Sequence, residues 1–139
     1  MKTFESQNIR NVVFLSHSGV GKTTLLEHLL FNKKVITRLG SVADGSSQLD
    51  TNPFEIEKKI TISSKIFPVE TKDVKVNLID TPGYPDFIGE IIGVLSVAEN
   101  AVLLIDAVDG VQISTLKMWK ALEKYKTSRI IFVNKLDIE

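Results

Sequence analysis

Residues 11–15 place Val12, Val13, Phe14 and Leu15 in succession, with no polar residue between them, as in a strand buried on both faces near the middle of a sheet. Residues 23–31 change period: Leu25, Leu26, Leu29 and Leu30 fall on one helical face and leave Glu27 and His28 on the polar side. From 32 to 59 the periodicity fades and Gly40, Ser41, Asp44, Gly45, Ser46, Ser47, Asp50 and Pro53 accumulate, which predicts a long loop. Residues 60–69 and 74–79 read as two strands of an antiparallel hairpin joined by the polar turn 70–73, and Pro68 puts the first of them at a sheet edge.

Phe87, Ile91, Ile92, Val94, Leu95 and Ala98 predict a helix over 87–98 despite Gly89 and Gly93, and 101–105 is a further buried strand closed by Asp106. Leu116, Trp119, Leu122 and Tyr125 predict a helix over 114–126, followed by a strand over 129–133. The order β-α-β-β-α-β-α-β implies an α/β fold: a mostly parallel sheet with one antiparallel edge strand, helices on both faces, and ligands at the carboxyl ends of the strands.

Composition adds limits rather than a function. The chain has 139 residues, 43% of them hydrophobic, which suits one domain with a single core. Seventeen basic residues balance seventeen acidic ones, so no whole-chain field favours nucleic acid or anionic lipid. Direct sequence-specific nucleic-acid binding is therefore not expected. Cysteine is absent, which removes disulfides, thiolate nucleophiles and zinc–thiolate sites. Residues 1–10 are polar and no apolar run has the length of a membrane span, so a cytoplasmic protein without a membrane partner is expected.

Chemistry is concentrated where the elements meet. Ser16, His17, Ser18, Gly19, Val20, Gly21, Lys22, Thr23 and Thr24 lie between a strand and a helix and match a phosphate-binding loop, except that Ser16 occupies the first glycine position. Gly21 lets backbone approach phosphate, Lys22 reaches terminal phosphates and the Thr23 hydroxyl faces Mg2+, because clustered phosphate oxygens demand N–H donors and cations. Asp80, Thr81, Pro82 and Gly83 end the second hairpin strand, where a carboxylate can hold Mg2+ and Gly83 can present its N–H to a γ-phosphate; by itself the same quartet makes an ordinary turn. Asn134, Lys135, Leu136 and Asp137 offer a carboxylate suited to the N1–H and exocyclic amine of guanine, with Asn134 and the Lys135 stem bracing the base. At average residue usage that pattern arises by accident in about one or two per cent of chains this long. The three motifs in this order, each at a strand end, point to GTP and GDP. Thr61 can be read as an ordinary strand threonine or as a Mg2+ ligand recruited when γ-phosphate closes the loop. His17 and His28 are too few and too separate to suggest a metal site, and Lys33, Lys34, Lys58 and Lys59 read as solvated charges.

Taken together these residues resemble the GTP-binding domain of translational GTPases, most of all elongation factor G and the elongation-factor-G-like proteins. The likeness covers nearly the whole chain: Asn8-Ile9-Arg10-Asn11, His17 with Gly21-Lys22-Thr23-Thr24, Ile60-Thr61-Ile62, Asp80-Thr81-Pro82-Gly83 with Asp86-Phe87, Asp106 with Gly110-Val111-Gln112, and Asn134-Lys135-Leu136-Asp137. It implies a three-layer phosphate-loop GTPase fold, GTP hydrolysis, GTP and Mg2+ as ligands, and action on the ribosome. It also implies Mg2+ ligation by Thr23, Thr61 and Asp80, a first switch over 32–59 and a second within 80–97.

The sequence departs from the family pattern at three positions besides its length. Tyr84 follows Asp-Thr-Pro-Gly where the family generally has the histidine that positions the attacking water, so Tyr84 joins Lys22 and Thr61 as a catalytic candidate. Gly19 stands where aspartate is usual and Lys59 where glycine is usual. The family continues through a further strand, a final helix and more domains, so residues 1–139 are expected to be a partial GTP-binding domain, truncated before the last strand and helix, with weaker nucleotide binding than the intact protein. Alternatives are a nucleotide-state binding module with little hydrolysis, a ribosome-protection or release-type GTPase and, more distantly, a phosphate-loop ATPase.

Overall fold

A computed structural model describes residues 2–138; Met1 and Glu139, the ends of the expected domain, lie outside the described residues. Five strands, β1 (Ile9–Leu15), β2 (Lys65–Glu70), β3 (Lys75–Asp80), β4 (Asn100–Asp106) and β5 (Ser128–Asn134), form one sheet in the order β2-β3-β1-β4-β5. β1 pairs in parallel with β3 and β4, β4 pairs in parallel with β5, and only the β2–β3 hairpin is antiparallel. The expected architecture is therefore present, with Pro68 on the edge strand and β1 in the centre.

Consecutive β1 side chains serve opposite faces, which explains its uninterrupted apolar run. Val13 and Leu15 join Ile79, Leu103, Ile91, Leu95, Met118 and Leu122 on the face covered by α3 (Ile88–Leu95) and α4 (Ile113–Lys124). Phe14 joins Leu26, Leu30, Leu49, Val69 and Leu104 on the face covered by α1 (Lys22–Asn32). At the far edge, β5 keeps Ile130, Ile131, Phe132 and Val133 all exposed.

Four sequence expectations require correction. The stretch 32–59 contains a short helix, α2 (Pro53–Lys58), whose Asn52 side chain accepts from the Phe54 N–H at 3.0 Å, with Pro53 pre-set for the first turn. The first hairpin strand begins at Lys65 rather than Ile60, because the Ile62 and Ser63 N–H groups donate to the Glu55 carboxylate instead of a strand partner. Glu27 is not on a polar face: it is 1% exposed, and its Oε1 accepts from the N–H groups of Gly40 and Gln48 at 3.1 and 2.7 Å, fastening the long loop to α1. The third helix is also shorter than its pattern, ending at Leu95, where Ser96 Oγ donates to the Gly93 carbonyl at 2.7 Å.

Leu103 sits on the interior strand β4 and is 1% exposed, so its side chain has no room to be replaced by water. Leu103→Ala should cost about 2–5 kcal/mol, read from urea unfolding of the variant beside wild type. A loss under about 1 kcal/mol would mean that this layer is not close-packed.

Candidate functional site

The carboxyl ends of β1, β3, β4 and β5 bring the three motif loops to one end of the sheet. After β1 the chain turns through Gly19 (φ 85°) and Gly21 (φ 93°), both in the left-handed region that glycine reaches without a Cβ clash. A Cβ on Gly21 would also stand 2.8 Å from Asn134 Nδ2, so any side chain there would displace the Asn134 amide from its place against the loop. Among the described residues the non-glycine positions with positive φ are Lys34, Lys59, Lys126 and Lys135, so Ser16 in place of a glycine carries no such strain.

The second motif packs directly on the first. A Cβ on Gly83 would come within 3.0 Å of Ser18 N and Cα, and Thr81 Oγ1 donates to the Phe14 carbonyl at 2.7 Å. Asp80 is fully buried at the end of β3: its Oδ1 accepts from Lys22 Nζ, and its Oδ2 accepts from Thr23 Oγ1 at 3.2 Å. Thr61 Oγ1 lies 3.4 Å from Thr23 Oγ1. Three oxygen-bearing side chains from separate segments thus meet beside one ammonium, a donor set that suits a hard divalent cation such as Mg2+. Above them opens a cavity of about 320 Å3 lined by residues 16–24, Val42, Ala43, Lys59, Ile60, Thr61, Gly83 and Tyr84. Its backbone N–H groups and helix start suit a chain of phosphates. Tyr84 is 38% exposed on its wall, and Lys59, read from sequence as a solvated charge, also lines it and donates through Nζ to the Ala43 carbonyl.

The third motif is adjacent but outside that cavity. Asn134 Nδ2 donates to the Val20 carbonyl at 2.8 Å, tying the end of β5 to the phosphate-binding loop. Lys135 adopts φ 60° and its Nζ lies 2.6 Å from Asp106 Oδ2, while Leu136 and Asp137 are exposed. Thr81 and Pro82 are buried under the loop rather than on the cavity wall.

The sequence placed His17 in the phosphate-binding loop and Asp106 at a strand end without naming their partners, and it gave no role to Glu55 and Lys65. Asp106 Oδ1 accepts from the Val108 and Asp109 N–H groups at 2.9 and 3.3 Å, and the carboxylate positions Lys135. His17 lies between Thr115 Oγ1, 3.5 Å from Nδ1, and Asp109 Oδ2, 3.7 Å from Nε2. Asp50, Glu55 and Lys65 form an ion cluster beside Thr61, with Lys65 Nζ 2.7 Å from a carboxylate oxygen of each acid. The sequence signal for these groups was weak, since their partners lie from a few to tens of residues away.

Sheet order and the strand-end loops define the phosphate-loop GTPase type of α/β fold. The chain belongs to the family of the elongation factor Tu GTP binding domain, which matches residues 7–139. It is 44% identical over 131 residues to the tetracycline resistance protein TetO of Campylobacter jejuni, a match that covers 94% of this chain and 20% of that protein. It is 46% identical over 129 residues to the tetracycline resistance protein TetM from transposon Tn1545 of Enterococcus faecalis, covering 93% of this chain and 20% of that protein. A crystal structure of a Thermus thermophilus protein superposes with a TM-score of 0.89 at 37% identity, over 94% of this chain and 20% of that one. The chain thus spans about a fifth of the length of the curated relatives it matches.

The Lys135 bond holds the Asp106 carboxyl below the usual carboxylate range; burial opposes this, and the Val108 and Asp109 N–H groups add to it. Folded protein therefore takes up this proton at lower pH than unfolded chain, so the stabilisation is complete above about pH 4 and is lost as pH falls further. Asp106→Asn should lower stability at pH 7 and flatten the acid limb of a pH series of urea unfolding curves. An unchanged acid limb would show that another carboxylate controls it.

Proposed function

We propose that this chain is the GTP-binding and GTP-hydrolysing part of a cytoplasmic translation elongation factor that acts on the ribosome. The convergence of Lys22, Thr23, Thr61 and Asp80 beside the phosphate-binding loop is the observation that carries the reading. In this reading the N–H groups of residues 16–24 hold the phosphates, and Lys22 transfers its ammonium from Asp80 to the terminal phosphate oxygens. Thr23, Thr61 and Asp80 hold Mg2+, which neutralises phosphate charge when bound. Gly83 directs its N–H toward the γ-phosphate, with Thr81 and Pro82 fixing the turn beneath it. Asn134 and the Lys135 stem brace guanine, and Asp137 accepts from its N1–H and amine. Leu136 completes that loop.

Hydrolysis joins a water oxygen to the γ-phosphorus and breaks its bond to the β–γ bridging oxygen, giving GDP and phosphate. Tyr84 lines the cavity and bears a hydroxyl that can orient the water. A second reading, a ribosome-protection or release-type GTPase, takes support from the tetracycline resistance proteins among the relatives. A third, a nucleotide-state module with little turnover, takes support from tyrosine standing at position 84.

Competition between GTP and ATP for the intact protein tests the base assignment. Asp137→Ala should weaken GTP binding about tenfold or more, the scale of a lost hydrogen bond to a charged acceptor, while leaving ATP binding weak. Equal competition by ATP against wild type would remove guanine from the account. Tyr84→His should raise ribosome-stimulated turnover and Tyr84→Phe lower it, in steady-state phosphate release. Rates unchanged by both would remove position 84 from the chemistry.

A further inference from the structure

Thr61 belongs to a long loop, yet its hydroxyl stands beside Thr23 while the residue itself is 8% exposed. A loop threonine stays in such a position only when the backbone around it is fixed, and the fixing groups are visible. The Glu55 side chain, on α2 and 1% exposed, accepts at Oε1 from the Ile62 and Ser63 N–H groups at 2.8 and 3.2 Å, the two amides that follow Thr61. On the other side, the Ile60 N–H donates to the Glu55 carbonyl at 3.1 Å. One residue therefore grips the chain immediately before and immediately after the threonine.

The carboxylate is itself anchored to the sheet. Lys65 Nζ lies 2.7 Å from Glu55 Oε2 and donates to Asp50 Oδ1 at 2.7 Å, and Thr61 Oγ1 donates to the same Asp50 oxygen at 3.5 Å. Lys65 opens β2 and is the register partner of Asp80, so the anchor shares a rung of the sheet with the carboxylate that faces Thr23. We propose that Glu55, held by Lys65, is a positioning residue that presents Thr61 to the Mg2+ and γ-phosphate side of the cavity, with Asp50 orienting its hydroxyl. This inference rests on the reading of the cavity as a GTP site and assigns the control of its first switch.

The electrostatics agree with a charged clamp. Burial would raise the Glu55 pKa, but the Lys65 bond and the Ile62 and Ser63 N–H groups outweigh it and hold the carboxyl below its ordinary value. Burial would likewise lower Lys65, and its bonds to Asp50 and Glu55 keep it above the ordinary lysine value. Charged acceptors make stronger bonds to backbone N–H than neutral ones, which suits a group that must hold a loop against solvent.

The test uses the intact protein with Mg2+, comparing Glu55→Ala, Thr61→Ala and the double variant for GTP affinity, GDP affinity and turnover. Because Thr61 serves γ-phosphate, Glu55→Ala should weaken GTP binding or turnover about tenfold while GDP affinity stays within about twofold, and it should add under about twofold in the Thr61→Ala background. Additive losses, or equal losses for GTP and GDP, would overturn the proposal by showing a merely structural role. If Glu55→Ala does not fold, Glu55→Gln, which keeps the oxygen acceptor and loses the charge, should show the same GTP-over-GDP bias in smaller measure; an equal loss of both nucleotides would overturn it. Amide hydrogen exchange at Ile62 and Ser63 tests the clamp without nucleotide: faster exchange in the variant is expected, and retained protection would overturn the clamp alone. Wild-type protein that binds no guanine nucleotide would instead overturn the reading of the cavity.

Discussion

Asp80 is the group on which the site's geometry depends. Its carboxylate is shut away from solvent at the end of a central-sheet strand, where an isolated charge would be strongly disfavoured, and it is balanced by Lys22 from the helix that follows the phosphate-binding loop. Through Thr23 the same carboxylate reaches Thr61, and so three segments far apart in sequence are referenced to one point. A buried ion pair of this kind contributes little net stability compared with apolar packing. Its value in the proposed function is that the lysine can exchange one anion for another, the buried carboxylate for phosphate, within a fixed scaffold.

The scaffold is supplied by ordinary packing. Val13 and Leu15 on one face of β1 and Phe14 on the other lock the strand between two helical layers, so its last residue delivers the loop to a fixed place. The long loop is tied down differently, by the carboxylates of Glu27, Asp50 and Glu55 taking backbone or side-chain donors from residues 40–65. Water can take the place of each polar partner when the segment opens, which fits a segment proposed to rearrange with nucleotide state.

How much of this was legible follows the range of the interactions. Strand-end loops carry local signatures, and Gly21-Lys22-Thr23, Asp80 and Asn134 came together as their positions after strands implied. The helix over Pro53–Lys58 also had a signal, a capping asparagine before proline, although it lay within a stretch rich in loop formers. Residues 60–64 misled because Ile60, Thr61 and Ile62 favour strands, whereas a carboxylate on α2 claims the N–H groups a strand would need. Glu27 misled in the opposite sense: its position looked polar and solvent-facing until a loop from later in the chain covered it.

The most direct measurement is a crystal structure of the intact protein with Mg2+ and a non-hydrolysable GTP analogue. The account predicts Lys22 Nζ on the terminal phosphates and no longer on Asp80, metal held by Thr23, Thr61 and Asp80, and guanine against Asp137. Lys22 still paired with Asp80, with the nucleotide bound elsewhere or not at all, would contradict it.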